Sequence, residues 1–300
     1  MWARFDRIIV ALTPAKVATH QRSAAALAAD QLFWHTFHGG DYKAIQPALE
    51  AGTAAYLQTP GDAITASHIG WLHIWRVAER ARVPAAPATI TDDVILARRY
   101  FEESVRLEPH DPRTQGFLAS AMMSEGQVEG DARLTLRGYL AMHDAVRAWP
   151  AFNLFTAGYV LSDRPLQSAQ FREALDDQWK NLDACAGSRI DRSHPGFSKF
   201  MDKIKDRRAC LNTSAAPHNI EGFFLNMGDM LVRTGQWRLA QEIYADAKLS
   251  PQYAAWPFGA ILEDRIRNAQ RNVVPFGSGG DRTNPLMVDS AFSCMACHQN

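Results

Sequence analysis

The stretch that decides the fold is residues 227–251, MGDMLVRTGQWRLAQEIYADAKLSP. Apolar residues recur there at intervals of three and four, the period of an amphipathic helix, and Gly235 interrupts the pattern. Pro251 closes it. The stretch therefore predicts two helices, over residues 220–234 and 236–249, joined by a tight turn.

The same period runs through most of the chain, whereas alternating strand-like runs are hard to find. Thr91 is expected to cap a helix that starts with Asp92 and Asp93 and ends at Pro109. The other predicted helices cover residues 62–82, 113–125, 131–149, 168–184 and 253–270. Because the connections are mostly short, the sequence predicts an all-α protein of antiparallel helical hairpins.

These hairpins resemble tetratricopeptide repeats, which carry small residues where two helices cross and a proline after the second. The turn recurs at Gly40-Asp41-Tyr42, and the second helix recurs with Ala97, Phe101, Ser104 and Pro109. The turn glycines do not keep the family's roughly 34-residue period, and residues 83–87 interrupt the first repeat. The resemblance implies an irregular TPR-like solenoid over residues 24–272.

Residues 273–300 form a second segment, in which Pro275, the run of residues 277–280 and Pro285 break any helix. It ends with Cys294-Met295-Ala296-Cys297-His298, which resembles the haem-attachment motif of c-type cytochromes. Two thiols at this spacing reach both haem vinyl groups, and the next histidine lies under the iron. The resemblance implies one covalent haem c, held by Cys294 and Cys297, with His298 as axial ligand.

Two other chemistries use paired cysteines. A thioredoxin-like dithiol is expected near a βαβ unit, and this motif ends an all-α chain. Structural zinc needs two further ligands, and Cys185 and Cys210 lack the paired spacing of such a site. In an oxidising compartment we expect Cys185 and Cys210 to form a disulfide bond with each other.

The sixth iron ligand is expected upstream, because only Gln299 and Asn300 follow His298. Placement of the motif at the C-terminus is similar to cytochromes c′, whose sixth position is open or filled from an earlier helix. His218, just before a predicted helix, is the candidate imidazole. The other candidates are methionines, Met287 and the pair Met227 and Met230, although that pair's spacing is more typical of core filling.

Two histidine pairs, His35 with His38 and His68 with His73, have the spacing to bind a transition metal. Neither residues 35–38 nor residues 67–75 contain a carboxylate, and the aromatic residues Phe33, Trp34, Phe37 and Trp71 lie in or beside these stretches. This composition favours core histidines with satisfied hydrogen bonds over metal ligands.

The composition and the motif content argue against several classes of protein. The 300 residues carry 32 basic and 32 acidic side chains, so there is no net charge to attract nucleic acid or an anionic surface. No apolar run is long enough to span a membrane. Motifs of hydrolases and nucleotide-binding enzymes are missing.

Residues 1–28 have parts of a secretory signal, interrupted by Lys16 and His20, and an amphipathic first helix is the alternative.

The sequence thus predicts an exported, periplasmic mono-haem cytochrome that transfers electrons to or from a redox partner protein. An electron carrier is expected rather than an enzyme. One alternative is a five-coordinate haem that binds a small gas or peroxide. Another is a TPR-like scaffold whose concave surface docks a partner that the haem serves.

Overall fold

The computed structural model describes residues 16–78, 85, 88–211 and 219–278. Across these ranges every regular element is a helix and none is a strand, which confirms the all-α prediction. The α-helices are α1 (Ala24–Gly39), α2 (Ile45–Gln58), α3 (Ala63–Ala78), α4 (Asp92–Leu107), α5 (Pro112–Glu129), α6 (Ala132–Ala148), α7 (Pro150–Leu161), α8 (Ala169–Ala186), α9 (Arg207–Cys210), α10 (Asn219–Arg233), α11 (Trp237–Asp246), α12 (Gly259–Asn268) and α13 (Val273–Gly277).

Consecutive helices pack in pairs. The most extensive contacts are those of α5 with α6, α3 with α4, α7 with α8, α10 with α11, and α1 with α2. Contacts also join one pair to the next: those of α2 with α3 and α6 with α7 are smaller, whereas α4 contacts α5 as extensively as α1 contacts α2. In this part of the chain, the fold is therefore built from helix pairs that are neighbours in sequence.

A glycine allows close approach within two of these pairs. A Cβ added to Gly228 would lie 2.2 Å from Cε1 of Tyr244, and one added to Gly70 would lie 3.0 Å from Cε1 of Phe101. Four residues before each aromatic ring is a fully buried alanine, Ala240 or Ala97. The helices cross where these small residues lie, so the aromatic ring of the second helix rests on the backbone of the first.

The glycine turns form as the sequence predicts. Gly235 has φ 82° and Gly40 has φ 66°, left-handed conformations in which glycine is favoured. After Gly40, the side chain of Asp41 accepts a hydrogen bond from the backbone N–H of Lys43. Each glycine ends one helix and lets the chain turn into the next helical element.

Some predicted boundaries are wrong. Thr91 makes no side-chain cap, because residues Ala88–Thr91 form a 3₁₀ turn that runs directly into α4. The single helix expected over 253–270 is a short 3₁₀ turn followed by α12, since Pro257 holds Trp256 in an extended conformation between them.

The core has three main clusters of buried side chains. One gathers residues of α1 to α5 around Trp75, a second joins α5 to α8 and includes Met230 of α10, and the third surrounds α10 and α11. Met227 and Met230 are both fully buried, as expected for core methionines. No helix in the described ranges is long and apolar enough to cross a membrane.

Cys185 and Cys210 form a disulfide bond, as predicted. Their Cα atoms are 5.6 Å apart, and the bond links the end of α8 to α9. Both residues belong to the cluster around α10, Cys185 buried and Cys210 partly buried. The bond therefore fixes the connection that leads from α8 towards α10.

Candidate functional site

The predicted haem residues Cys294, Cys297 and His298 lie outside the described residues, as do His218 and Met287. The structure describes the helices at which these segments begin or end. Helix α10 starts directly after His218, and α13 (Val273–Gly277) is the described start of the C-terminal segment. The expectation that Pro275 and Gly277 break any helix is therefore wrong for these five residues, because Pro275 lies in the first turn of α13. A Cβ added to Gly277 would lie 3.6 Å from the carbonyl oxygen of Arg233, so the C-terminal segment begins beside the end of α10.

A buried polar cluster holds α13 in place. The Arg265 guanidinium lies over the ring of Phe276, 4.7 Å from its centroid, and Nε is 3.3 Å from Oδ1 of Asp229. The Tyr244 hydroxyl donates a 2.5 Å hydrogen bond to the same oxygen. Burial raises the pKa of Asp229, and the Arg265 charge opposes that shift. This cluster joins the start of the C-terminal segment to α10, α11 and α12.

The second histidine pair separates into two environments. Nδ1 of His73 lies 2.6 Å from Oδ1 of Asp93, and Arg76 lies 3.6 Å from the same oxygen. His73 is buried and stacks on Tyr100. It is the satisfied core histidine that the sequence predicted, and Asp93 is its partner from α4.

His68 is held differently, at the edge of the core. Nδ1 lies 2.9 Å from Oδ1 of Asp30, and the imidazole stacks on Phe33 with centroids 3.9 Å apart and planes 6° apart. The ring also meets Trp34 edge-on at 5.3 Å. Within the described ranges no polar partner lies on the other ring nitrogen, Nε2. The side chain is 15% exposed.

Burial lowers the pKa of His68, and the neighbouring Asp30 carboxylate opposes this shift. The charges of Arg22 and Arg113 lower the pKa further. His68 is therefore a neutral imidazole at neutral pH. Its Nδ1 lies close to the Asp30 carboxylate, but Oδ1 of Asp30 accepts no hydrogen bond in the described structure.

The first histidine pair is not part of the core. His35 and His38 are both exposed, so the expectation of satisfied core histidines is wrong for them. They lie on α1, and both residues are exposed to solvent. His38 still contacts the ring of Trp34, with centroids 5.1 Å apart. Nowhere in the described part of the chain do three His, Cys, Asp or Glu side chains form a metal-binding group.

His68 lies within a row of aromatic rings that crosses four helices. We name as the aromatic strip the residues Trp34, Phe37, His68, Trp71, Phe117, Phe152 and Trp149. Centroid distances between successive phenyl and indole rings run from 4.6 to 6.3 Å. Phe37 and Phe152 are buried, while the tryptophans and Phe117 remain partly exposed.

The strip follows from the helix pairing. Its members lie on α1, α3, α5 and the start of α7, the first helix of four successive pairs. The rings of neighbouring pairs meet along these first helices, and Trp71 also contacts Phe101 of its partner α4. The sequence analysis noted the aromatic residues near the histidines but missed Phe117 and Trp149, because only the packing of α5 and α7 brings them into line.

Two arginines lie near His68, and both are paired with carboxylates. Arg22 lies between two carboxylates, with Nη1 3.3 Å from Oδ2 of Asp30 and Nε 3.1 Å from Oδ2 of Asp62. Arg113, at the start of α5, is 3.0 Å from Asp111. The site thus combines one neutral imidazole, partly exposed aromatic rings and two guanidinium groups.

Comparison with known proteins gives no assignment: no protein family model matches the chain, and no curated protein matches its sequence.

Proposed function

We propose that this protein is a mono-haem c-type cytochrome that transfers electrons in the bacterial periplasm. The observation that carries the proposal is the sequence Cys294-Met295-Ala296-Cys297-His298. The thiols of Cys294 and Cys297 each add S–H across one haem vinyl group, which forms a thioether and releases nothing. The imidazole of His298 binds the iron.

The disulfide bond supports this assignment over zinc and over a cytosolic dithiol. Cys185 and Cys210 are bonded to each other, so they do not supply the two extra thiolates that a four-cysteine zinc site needs. Structural disulfides persist mainly in oxidising compartments, among them the periplasm. The same compartment is where thiols of a haem-attachment motif are used, so both cysteine pairs favour export.

The helix pairs support a TPR-like solenoid as the scaffold. Gly70 with Ala97 and Phe101 repeats the relation of Gly228 with Ala240 and Tyr244. The pair of α7 and α8 repeats this arrangement of a glycine on the first helix and a larger residue on the second. A Cβ added to Gly158 would meet the side chain of Gln178, which lies four residues after the buried Ala174. We propose that this helical domain, residues 24–272, carries the haem-bearing segment 273–300.

A bound haem supplies an iron that gains one electron from a reduced partner protein and loses it to an oxidised one. The protein's part is to hold that iron in a fixed environment of low polarity, because burial and the axial ligands set its potential. The imidazole of His298 would hold the iron, and a second protein ligand would come from the helical domain. His218 remains the candidate that the sequence predicts.

Intact mass tests the proposal. Protein made with a bacterial cytochrome c maturation system should exceed the chain mass by one haem, and the haem should survive acid-acetone extraction. The Cys294→Ala, Cys297→Ala double variant should have the mass of the chain alone. A matched control, the Cys185→Ala, Cys210→Ala variant, should keep its haem.

An unmodified mass, from cells shown to mature another cytochrome, would overturn the proposal.

Absorption spectra with and without carbon monoxide test whether the haem transfers electrons or binds small molecules. A six-coordinate low-spin iron supports electron transfer, because a filled coordination shell limits rearrangement and excludes added ligands. A high-spin iron that binds carbon monoxide rapidly favours gas or peroxide binding instead.

A further inference from the structure

The segment between α8 and α10 carries an excess of positive charge. We name residues 187–208 the basic loop, which contains seven lysines or arginines and three aspartates, whereas the whole chain has 32 basic and 32 acidic side chains. The exposed cations of the basic loop are Arg189, Lys199, Lys203, Lys205, Arg207 and Arg208. The basic loop is therefore a positive patch on a molecule that has no net charge.

The exposed cations of the basic loop form no ion pairs. Arg192, the remaining arginine, is different, since its guanidinium donates to both oxygens of Asp183 at 2.8 and 2.5 Å. No described carboxylate lies within 4.0 Å of the charged groups of the other six. Basic side chains on the helices commonly do have such a partner, as Arg98 has in Glu125 at 2.6 Å. The six exposed charges of the loop are therefore available to an outside partner.

The aspartates of the basic loop do not neutralise it. Oδ1 of Asp191 accepts hydrogen bonds from the backbone N–H and the hydroxyl of Ser193. The Asp206 carboxylate accepts hydrogen bonds from the backbone N–H of Ala209 and from an indole N–H at the start of α7. Asp202 is exposed and forms no ion pair with the described residues. Two of the three carboxylates thus fix the shape of the loop instead of pairing with its cations.

Like charges are crowded together within the basic loop. The ammonium groups of Lys199 and Lys203 lie over the same ring, 5.2 and 5.9 Å from the centroid of Phe200. Arg207 and Arg208 are consecutive in the chain. Because like charges at short separations repel, this arrangement lowers the stability of the isolated fold. Such departures from what stability favours are expected at binding sites, where a partner of opposite charge offsets the repulsion.

The basic loop is attached firmly to the rest of the protein. The bond between Cys185 and Cys210 closes it, and the Phe197 N–H donates a 3.1 Å hydrogen bond to Asp246 of α11. The side chains of Phe197 and Ile204 are buried. Long connections in compact domains are usually functional, and a surface that is ordered before binding loses little conformational entropy when a partner arrives. The exposed cations therefore lie on a pre-organised backbone.

The chemistry of the basic loop fits an acidic protein better than a lipid bilayer. Its large apolar side chains are all buried or half-buried, so none is available to insert into lipid. Guanidinium groups pair with carboxylates through two parallel hydrogen bonds, and ammonium groups pair with them as point charges. A series of Asp and Glu side chains on a partner protein therefore matches the series of cations on this loop.

We propose that the basic loop is a docking surface for a carboxylate-rich segment of a partner protein, which contacts Lys199, Lys203, Arg207 and Arg208. Because the attraction is electrostatic, binding weakens as the salt concentration rises. The inference goes beyond the proposed function, since it depends only on the described loop and holds with or without the haem.

Fluorescence anisotropy of a labelled peptide of alternating Glu and Ser, added to full-length protein at low salt, tests the surface. Reversing four charges of the basic loop should weaken peptide binding at least tenfold, because each new carboxylate repels those of the peptide. This loop variant is Lys199→Glu, Lys203→Glu, Arg207→Glu, Arg208→Glu.

A matched control changes the net charge by the same amount outside the basic loop. It reverses four exposed arginines of α4, α6 and α11 that also lack an ion pair among the described residues. The control variant is Arg99→Glu, Arg133→Glu, Arg137→Glu, Arg238→Glu. It should bind the peptide within about twofold of the wild type, because these side chains lie away from the proposed surface.

Three results would overturn the inference. Equal weakening in the loop and control variants would show that binding follows net charge and not the basic loop. Peptide binding that is unchanged in the loop variant would exclude the loop. Loop-dependent binding to vesicles of phosphatidylcholine and phosphatidylglycerol, without binding of the peptide, would assign the surface to an anionic membrane.

Two further measurements keep these results clear of unfolding and of the haem. A second loop variant with Gln at the same four positions should also bind the peptide more weakly, and circular dichroism shows whether each variant keeps its helices. The loop variant should have the same haem content as the wild type. Failure of the docking surface would therefore leave the proposed function intact.

Discussion

At the scale of single residues, two histidines of one helix lie in different surroundings. His68 and His73 both lie on α3 beside a carboxylate, but only the His73 contact with Asp93 is a hydrogen bond. His68 packs against Phe33 and Trp34 of α1, and His73 stacks on Tyr100 of α4. Spacing along the sequence treats the two histidines as equivalent, whereas packing separates them.

Asp246 makes the stability of the fold depend on pH. Burial raises its pKa to about 6, an effect that Glu242 adds to. The Phe197 N–H, which donates a 3.1 Å hydrogen bond to Oδ2, and the charge of Lys199 oppose the shift. Because the folded protein holds this proton more tightly than the unfolded chain, the stabilising contribution is complete below about pH 4 and is lost as pH rises through about 6.

We therefore expect the free energy of unfolding of the wild type to lose about 3 kcal/mol from this group between about pH 4 and pH 7. Asp246→Asn keeps an acceptor for the Phe197 N–H but cannot ionise, so its stability should fall less over that range. Urea unfolding at several pH values measures the difference. Asp264→Asn, on the exposed side of α12, is the control, and Asp246→Asn and wild-type curves that run parallel would contradict the prediction.

At the scale of elements, Gly228 sets how closely α10 and α11 pack. Gly228→Ala should destabilise the protein by about 1 to 3 kcal/mol, because the new methyl group would overlap the ring of Tyr244 and the helices would have to separate. Thermal or urea unfolding measures the loss. Gly39→Ala, where a Cβ would meet nothing within 4 Å, should change stability by less than about 0.5 kcal/mol. Equal effects of the two substitutions would contradict the close crossing.

The disulfide bond is the other constraint at this scale. It closes a loop of 25 residues between α8 and α9, which in the chain-entropy model contributes about 3 kcal/mol. Cys185→Ala, Cys210→Ala protein should therefore unfold at lower urea concentration than the wild type, and a reducing agent should move the wild type to the same midpoint. Two alkylatable thiols in denatured, unreduced wild type, besides those of the motif, would show that the bond does not form.

The sequence predicted helices where the period of three and four residues was long and ended by glycine or proline, as for α10 and α11. It missed α2 and α7, because Pro47 and Pro150 lie within the first turn of each, where a proline is tolerated but resembles a helix stop. The motif at Cys294 could be recognised from the sequence because its five residues are consecutive. The contact between Asp30 and His68 could not be predicted, since it joins two helices that only the tertiary fold brings together.

At the scale of the whole molecule, α10 joins the two parts of the chain that the proposed function brings together. His218 precedes α10, whose residues belong mainly to the cluster around Tyr244. The C-terminal segment begins beside the other end of α10, near Arg233. The segment proposed to carry the haem and the candidate ligand His218 are therefore attached to opposite ends of one buried helix.

Hydrogen exchange can locate the proposed haem without altering any histidine. Comparing matured protein with the Cys294→Ala, Cys297→Ala variant, we expect added protection of backbone amides in the first turn of α10, because His218, the candidate ligand, directly precedes that turn and a bound haem would restrain it. Amides of α1, α3 and α4 should change little, since they pack in a different core cluster. Added protection confined to those three helices would show that the haem lies away from His218.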